Sequence, residues 1–466
     1  MAAPTSDRYV DGMKQFRLNA FEMNTVGHQS PGLWTHPRDR STRYTDLDYW
    51  TSLAKTLERG RFDGIFLADV LGIYDVYGAS PDAALRHAVQ VPVGDPLLLI
   101  PAMAAVTGHL GFGVTCTLSY EPPYTLARRM TTLDHLTKGR AGWNIVTGYL
   151  DSAATGMGLA QQPRHDQRYE LANDYMEVMY KLWEASWEAG AVLRDRAASR
   201  FADPAKVHRV EHRGDFYRVD AIHLCEPSPQ RTPVLYQAGA STRGRAFAAK
   251  HAECVFINGP TPQTIAPQVA DLRRRAVENG RAAEDLLIFT LCTVVTGRSA
   301  AEAHAKHAEY RRYADPEAAL ALFSGWTGVD FSKYRPDDEL RYIETEAMRS
   351  ALESFTSADP GRVWTVRELA EHVAIGGRGP LFVGSPGQIA DTMTAWVEAT
   401  GIDGFNLAYA VRPESFEDFV EFVVPELQRR GVYKHDYRAG TYREKLFGAG
   451  PHLLSSHPGA RYRFAP

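Results

Sequence analysis

Cysteine is scarce in this chain of 466 residues. There are four, Cys116, Cys225, Cys254 and Cys292, and no two form a C-x-x-C pair. Such spacing argues against a zinc site and against a disulfide framework, and a reducing cytoplasm is the simplest compartment for it. Long apolar runs are missing too. None approaches the roughly 20 residues that span a bilayer. The polar stretch from Met1 to Gln15 has no apolar core of a secretory signal. Blocks of basic charge are also lacking. Lys and Arg number 52 against 56 Asp and Glu, a formal net charge of -4, so neither nucleic acid nor an anionic membrane is an expected partner. The H-E-x-x-H signature of metalloproteases and the G-x-S-x-G elbow of lipases do not occur. Internal repeats and low-complexity tracts are likewise absent.

What is present is an alternation of short apolar runs with amphipathic stretches. Strands are predicted at Phe16–Met23, Gly64–Val70, Leu110–Leu118, Ala141–Thr147, Pro233–Gly239, Cys254–Asn258, Leu286–Thr296 and Gly404–Val411. Helices are predicted between them, at Leu47–Arg59, Asp95–His109, Tyr124–Thr137, Tyr169–Trp187, from the fifth strand to His251, Pro262–Asn279, from Ala300, and Glu414–Arg429. Strands followed in turn by helices imply a parallel sheet with helices outside. Eight repeats imply closure into an α/β TIM barrel, (β/α)8. A doubly wound sheet usually has fewer strands and a Gly-rich turn after the first, and 24–45 holds no such turn. One barrel domain is expected over 1–466, with insertions near 149–167, 190–231 and 314–386 and a C-terminal extension over 432–466. Loops of that length are usually functional. The first should lie on the C-terminal face, where barrel active sites sit. The third carries Phe323, Trp326, Phe331 and Tyr334 and suits a lid or a dimer contact.

Several polar residues interrupt these runs. Asp69 ends the second strand in FLAD, either as a site carboxylate or as a cap. Asn144 lies inside the fourth strand, where a buried amide needs partners. Those could come from a neighbouring strand or from a ring edge with alternating donors and acceptors, such as a flavin's. His165-Asp166-x-Arg168-Tyr169 opens the long helix. Asp166 suits its N-cap or first turn, and that start would attract an anion such as a phosphate. The run from Gly239 to Gly244 has Walker A glycine spacing, but Arg245 and Ala246 replace the Lys and Ser/Thr. It fails as a triphosphate loop. With Ser241, Thr242 and nearby Arg243 it suits a monophosphate, unless it is only a tight strand-to-helix turn. Gly376-Gly377-x-Gly379 does not sit between a strand and a helix of a βαβ unit and is read as no dinucleotide loop. His304 and His307 read as a solvated helix face. His28 and Tyr74 fall in loops after the first two strands, where they could polarise an oxygen species, shuttle a proton or be structural.

The segments NAFEMNTVGHQSPGLW, FLADVLGIYDVY, ARRMTTLDHLTKGR, GWNIVTGYL, HDQRYELANDYMEVMYKLWE, EPSPQRTPVLYQAGAS, GFNLAYAV and VVPELQRRGVY occur in order along nearly the whole chain. Together they resemble the bacterial-luciferase-like flavin monooxygenases. Within that family they resemble the branch of nitrilotriacetate, dibenzothiophene-sulfone, dimethyl sulfide and long-chain alkane monooxygenases. The resemblance implies a barrel that takes reduced FMN from a separate NADH-dependent flavin reductase and reacts it with dioxygen. It implies a homo-oligomer. It places Asp69, Thr115, Asn144, His165, Tyr169, Gly239, Ser241 and Thr242 at the FMN and His28 and Tyr74 near its reactive edge. LALFSGWTGVDFSKY, VWTVREL and GFNLAYAV resemble the dimethyl sulfide type, so a small dialkyl sulfide is the first expectation for substrate. The VGHxxxGLW, TYREKLFG and tail patterns are shared with the alkane type, which has Cys where Thr25 stands and His where Tyr149 stands. Long-chain alkanes, sulfones and heteroaromatics are the alternatives. A non-catalytic flavin-binding barrel and a deazaflavin-dependent barrel are the competing classes. The HDQRY and QAGAS segments favour FMN over a deazaflavin.

Overall fold

The computed structural model describes residues 9–10, 13–239, 241–341, 347–356 and 361–464. Its central sheet has nine parallel strands: β1 (Arg17–Met23), β2 (Gly64–Ala68), β3 (Gly111–Thr117), β4 (Ala141–Val146), β5 (Val234–Ala238), β6 (Cys254–Ile257), β7 (Leu287–Thr296), β8 (Leu381–Gly384) and β9 (Gly404–Ala408). β1 to β7 and β9 form a ring, closed where Cys254 of β6 pairs with Leu287 of β7. This is the expected eight-stranded barrel. β8 stands outside the ring, paired with the last residues of β7, Thr293 to Thr296. It falls within the expected third insertion, and its four residues, LFVG, are too few to show a period.

The longer helices are α1 (Leu47–Arg59), α2 (Pro123–Leu136), α3 (His165–Ala185), α4 (Thr242–His251), α5 (Pro262–Glu278), α6 (Ala300–Arg311), α7 (Pro316–Thr327), α8 (Val366–Val373) and α9 (Pro386–Thr400). Their starts follow from sequence. Thr261, Thr365 and Ser385 each accept from the backbone three residues on, and in each case the residue there answers with its own side chain. Such capping boxes fill donors that helix starts leave open. Two expected helices are broken. The Asp95–His109 stretch is a 3-10 turn, Pro96–Leu99, followed by a short helix Ile100–Ala105. Pro101 lacks the donor an unbroken helix needs, and Arg140 draws off the Ala104 and Leu110 carbonyls at 2.9 and 3.1 Å. The Glu414–Arg429 stretch widens to a π turn at Phe419–Val423, just before Pro425. The strand expected to run to Val411 ends at Ala408. Beyond it the Ser415 hydroxyl accepts from the Ala410 and Val411 amides at 3.1 and 3.2 Å, taking over from a neighbouring strand.

Alternation along the strands sorts the core. Leu18, Ala20, Ile65, Leu67, Val255 and Ile257 face outward and pack in one cluster with Trp50, Leu53 and Leu57 of α1. Phe21, Phe66, Tyr236, Phe256 and Phe289 face inward and fill the barrel. Each fully buried side chain of this size contributes roughly 1.5–3 kcal/mol. Tyr442 plugs the N-terminal end. A Cβ at Gly64 would clash with its hydroxyl and one at Gly111 with its ring, so those strand starts are glycine. The 190–231 stretch holds two antiparallel hairpins that the sequence reading left without structure, Val192–Asp195 with Arg200–Ala202 and Val210–Arg213 with Arg218–Ala221. The 314–386 stretch has its own apolar cluster, with Phe323, Trp326, Phe331, Phe355 and Trp364. Residues 342–346 and 357–360 of it, and 465–466 of the expected extension, lie outside the described residues. Among the described residues no helix is long and apolar enough to cross a membrane.

Candidate active site

A cavity opens at the C-terminal ends of the strands. Met23 of β1, Asp69 after β2, Thr115 of β3, Asn144 of β4, Gln237 of β5 and Asn258 after β6 all line it. Inward-facing Phe21, Phe66 and Phe256 form its floor. Of the residues singled out from sequence, His28, Asp69, Thr115, Asn144, His165, Tyr169, Gly239 and Ser241 share this wall. Tyr74 and Thr242 do not. Tyr74 is buried behind the wall, and Thr242 is exposed in the first turn of α4.

One end of the cavity is rich in hydrogen-bonding groups. Asn144 Nδ2 donates to Thr115 Oγ1 at 2.8 Å, while its Oδ1 is buried without a partner. Gln237 Oε1, from the next strand, is also buried and unpartnered. Two helix starts meet beside them. Arg164 holds the N-cap position of α3, and no side chain caps it. Asp166 is therefore a first-turn residue, and its carboxylate lies 3.0 Å from His165 Nδ1 and 3.5 Å from Arg243. Ser241 caps α4, accepting from the Gly244 amide at 3.0 Å, and its Oγ is 3.4 Å from His165 Nε2. Burial pushes the Tyr169 phenol up, partly offset by the Ser241 and Gln237 side chains nearby. Arg168 donates to the Gly148 carbonyl across the mouth. Gly239 and Gly244 let the turn close tightly, since a Cβ on Gly244 would meet the Tyr169 hydroxyl at 2.9 Å.

The other end is covered by the 314–386 stretch. Trp326, Met348 and Arg378 line it, with Tyr149 and Gln90. The Tyr149 and Tyr74 hydroxyls lie 2.6 Å apart, and Tyr74 donates to Gln90 Oε1 at 2.8 Å. Gln90 donates in turn to the His28 carbonyl at 3.3 Å. Burial raises both phenols, that of Tyr149 to about 12, so both are neutral at pH 7. His28 packs edge-on against Phe21 at 4.6 Å, and its Nδ1 has no partner. Burial, then Arg412, holds it well below the usual imidazole range, so it is neutral. Behind it, fully buried Arg412 and Glu22 pair at 2.9 Å and Arg412 ties down the Thr25 carbonyl at 2.6 Å, fixing the loop that carries His28. Asp69 sits partly exposed on the wall. Burial and then the Asp95 charge raise its carboxyl to about 7.

Gln237, Gln90 and Arg378 line the cavity without having been singled out from sequence, and Tyr149 was noted only as a departure from the alkane type. Gln237 gives the same signal as Asn144, a polar residue inside an apolar strand. Tyr149 and Gln90 lie in loops without a pattern. Arg378 sits in the glycine run dismissed as a dinucleotide loop, and dismissing that loop discarded the other meaning of clustered glycine, a close approach of backbone.

A parallel barrel with one polar-walled cavity over its strand ends defines an enzyme of the TIM-barrel type, with helix starts at hand for an anionic cofactor. The luciferase-like monooxygenase family matches residues 25–404, and the chain belongs to that family. It is thus a flavin-dependent monooxygenase, from a family that uses reduced flavin as cosubstrate. It is 52% identical to the dimethyl-sulfide monooxygenase of Hyphomicrobium sulfonivorans over 453 residues, 97% of this chain and 94% of that one. It is 51% identical to the long-chain alkane monooxygenase of Geobacillus thermodenitrificans (strain NG80-2), over 97% of this chain and 98% of that one. The crystal structure of DmoA from Hyphomicrobium sulfonivorans superposes with a TM-score of 0.90 at 52% identity, covering 97% of this chain and 96% of that one.

Proposed function

We propose that the cavity binds reduced FMN, supplied by a separate NADH-dependent flavin reductase, and that the enzyme oxidises a small dialkyl sulfide with dioxygen. The observation that carries the cofactor reading is the pair of buried, unpartnered amide oxygens, Asn144 Oδ1 and Gln237 Oε1, on one wall. An unfilled buried acceptor costs about 1–3 kcal/mol. The N–H groups along a flavin's ring edge would fill both. A phosphate fits the other half of the same end: the uncapped start of α3, the Ser241 hydroxyl, His165, Tyr169 and Arg168. Thr242, exposed beyond the wall, is left with a helix-starting role.

When bound, reduced FMN supplies two electrons to dioxygen, one atom of which enters the substrate while the other leaves as water. The chain's residues orient and exclude. The strand-end residues hold the ring edge, and the helix starts hold the phosphate. Trp326 and Met348 cover the apolar side and keep out water, which would divert the reaction to peroxide. Neutral His28 and the Tyr149–Tyr74 pair would offer a ring nitrogen and a hydroxyl proton at the covered end of the cavity. Oxygen insertion at the carbon next to sulfur leaves a hemithioacetal, which splits into a thiol and an aldehyde.

The likeness to a dimethyl-sulfide monooxygenase and the apolar floor support a sulfide; the near-equal likeness to an alkane oxidiser makes alkanes the control. The test supplies FMN, a generic flavin reductase, NADH and air, with dialkyl sulfides, sulfones and alkanes as substrates. Thiol and aldehyde from the sulfide, dependent on reductase and oxygen, is the expected result. Product only from alkanes or sulfones would overturn the sulfide assignment, and no flavin binding at all would overturn the cofactor.

A further inference from the structure

Arg378, half-buried in the cavity wall, differs from four of the buried arginines of the molecule. Arg412 pairs with Glu22 at 2.9 Å, and Arg443 with Glu253 at 2.6 Å. Arg140 and Arg281 have no carboxylate, but each spreads its guanidinium over several backbone carbonyls. Arg378 has neither arrangement. Among the described residues, its polar contacts are the Asn258 side-chain oxygen at 3.2 Å, in the amide orientation that satisfies both atoms of that residue, and Met348 Sδ at 3.9 Å. Its guanidinium rests on the Trp326 ring, 5.0 Å from the centroid. A guanidinium offers five N–H donors, so most are left to face the cavity that Arg378 lines.

The position is built rather than incidental. Gly376 and Gly377 have φ of +91° and +70°, and a Cβ on them would meet Thr293 Oγ1 at 2.5 Å and Gln29 Oε1 at 2.0 Å. Ser30 Oγ accepts from the Gly376 amide at 3.0 Å. The loop is thus pinned to β7 and to the loop after β1, and it holds Arg378 at the covered end, on elements separate from the helix starts of α3 and α4. The charge persists there: burial lowers the guanidinium only to about 10.

We propose that Arg378 is a second anion-binding point of the cavity and engages an acid group of the substrate, a carboxylate or sulfonate a few bonds from sulfur. A carboxylate can take two parallel N–H bonds from one guanidinium, while the thioether lies against Trp326 and Met348. The inference rests on the sulfide reading and narrows it from simple dialkyl sulfides to sulfides bearing an acid. The ring of reduced flavin is a competing anionic partner for Arg378, and the test separates the two.

The test titrates the protein with methylthioacetate by calorimetry, both without flavin and with reduced FMN under anaerobic conditions. The variants are Arg378→Gln and Arg378→Lys, with thermal melting to confirm folding. Wild type is expected to bind methylthioacetate at least tenfold more tightly than Arg378→Gln, with Arg378→Lys between them and reduced-FMN affinity unchanged in all three. Equal binding by wild type and Arg378→Gln, or no binding by wild type in either state, would overturn the proposal. Loss of reduced-FMN affinity in Arg378→Gln, with acid binding unchanged, would also overturn it and assign the charge to the flavin. Failure of wild type to bind FMN would instead strike the cofactor reading, and the flavin-free titration would still decide Arg378.

Discussion

The two ends of the cavity are made from different parts of the chain. The polar end is barrel: Thr115, Asn144 and Gln237 on adjacent strands, and Ser241 and His165 where the helices begin. The covered end is added to the barrel: Trp326 on α7, Met348 and Arg378 in the stretch before β8, all backed by a separate apolar cluster. The ladder of strands fixes the first end, and a small second core fixes the other. Such a division lets one scaffold keep a cofactor while its cover changes to suit a substrate. It also predicts that damage at one end leaves the other working.

The largest expected effect is at the cover. Trp326 is buried in the second cluster, and truncating so large a core side chain costs about 3–5 kcal/mol. Trp326→Ala should lower the melting temperature and raise peroxide at the expense of product, while reduced-FMN affinity stays within about twofold. A parallel fall in FMN affinity would mean that the two ends are one unit. Next comes the turn that carries Arg378. At Gly377, with φ of +70°, alanine brings both an unfavourable backbone and a clash with Gln29. The backbone alone costs about 1–2 kcal/mol, and Gly377→Ala should reduce turnover while sparing the cofactor. If reduced-FMN binding fell with turnover, the turn would belong to the cofactor end.

Smaller effects sharpen the boundary. His28 lies on the wall, neutral and with Nδ1 unpartnered. His28→Ala should leave reduced-FMN affinity alone and lower the product formed per NADH; unchanged coupling would return His28 to a packing role. The smallest effect is at Asp69, whose folded carboxyl is raised to about 7. A raised carboxyl binds more protons in the folded state than in the unfolded one. Its contribution is therefore complete below about pH 4 and is lost as pH rises through about 7. The flavin-free protein should melt lower at pH 8 than at pH 5, and Asp69→Asn should narrow that gap. Equal gaps in the two proteins would show that Asp69 is not the group responsible.

The barrel was legible in the sequence because apolar strands and amphipathic helices alternate with two distinct periods. β8 and the two hairpins were not, because four-residue strands carry no period and their partners lie outside the local pattern. The polar end was legible for a physical reason. Asn144 interrupts a buried strand, and the Ser241 and His165 turns open helices, so each is a local anomaly. Gln237 had the same mark and was passed over. For Tyr74, a loop position on the C-terminal face does not say whether the hydroxyl lines the cavity itself. It reaches Tyr149 and Gln90 instead. The glycines around Arg378 mark a close approach of backbone, but that its guanidinium lacks the carboxylate that Arg412 and Arg443 have is a fact of three dimensions.

The central claim is that the strand-end amides and the tyrosine beside the helix starts hold reduced flavin. Anaerobic titration of reduced FMN into wild type, Asn144→Ala and Tyr169→Phe tests it most directly. Each variant should bind about tenfold or more weakly, as expected for losing a buried hydrogen bond of about 1–3 kcal/mol, with an unchanged fold by circular dichroism. Affinity equal to wild type in both would contradict the claim and move the flavin away from this wall.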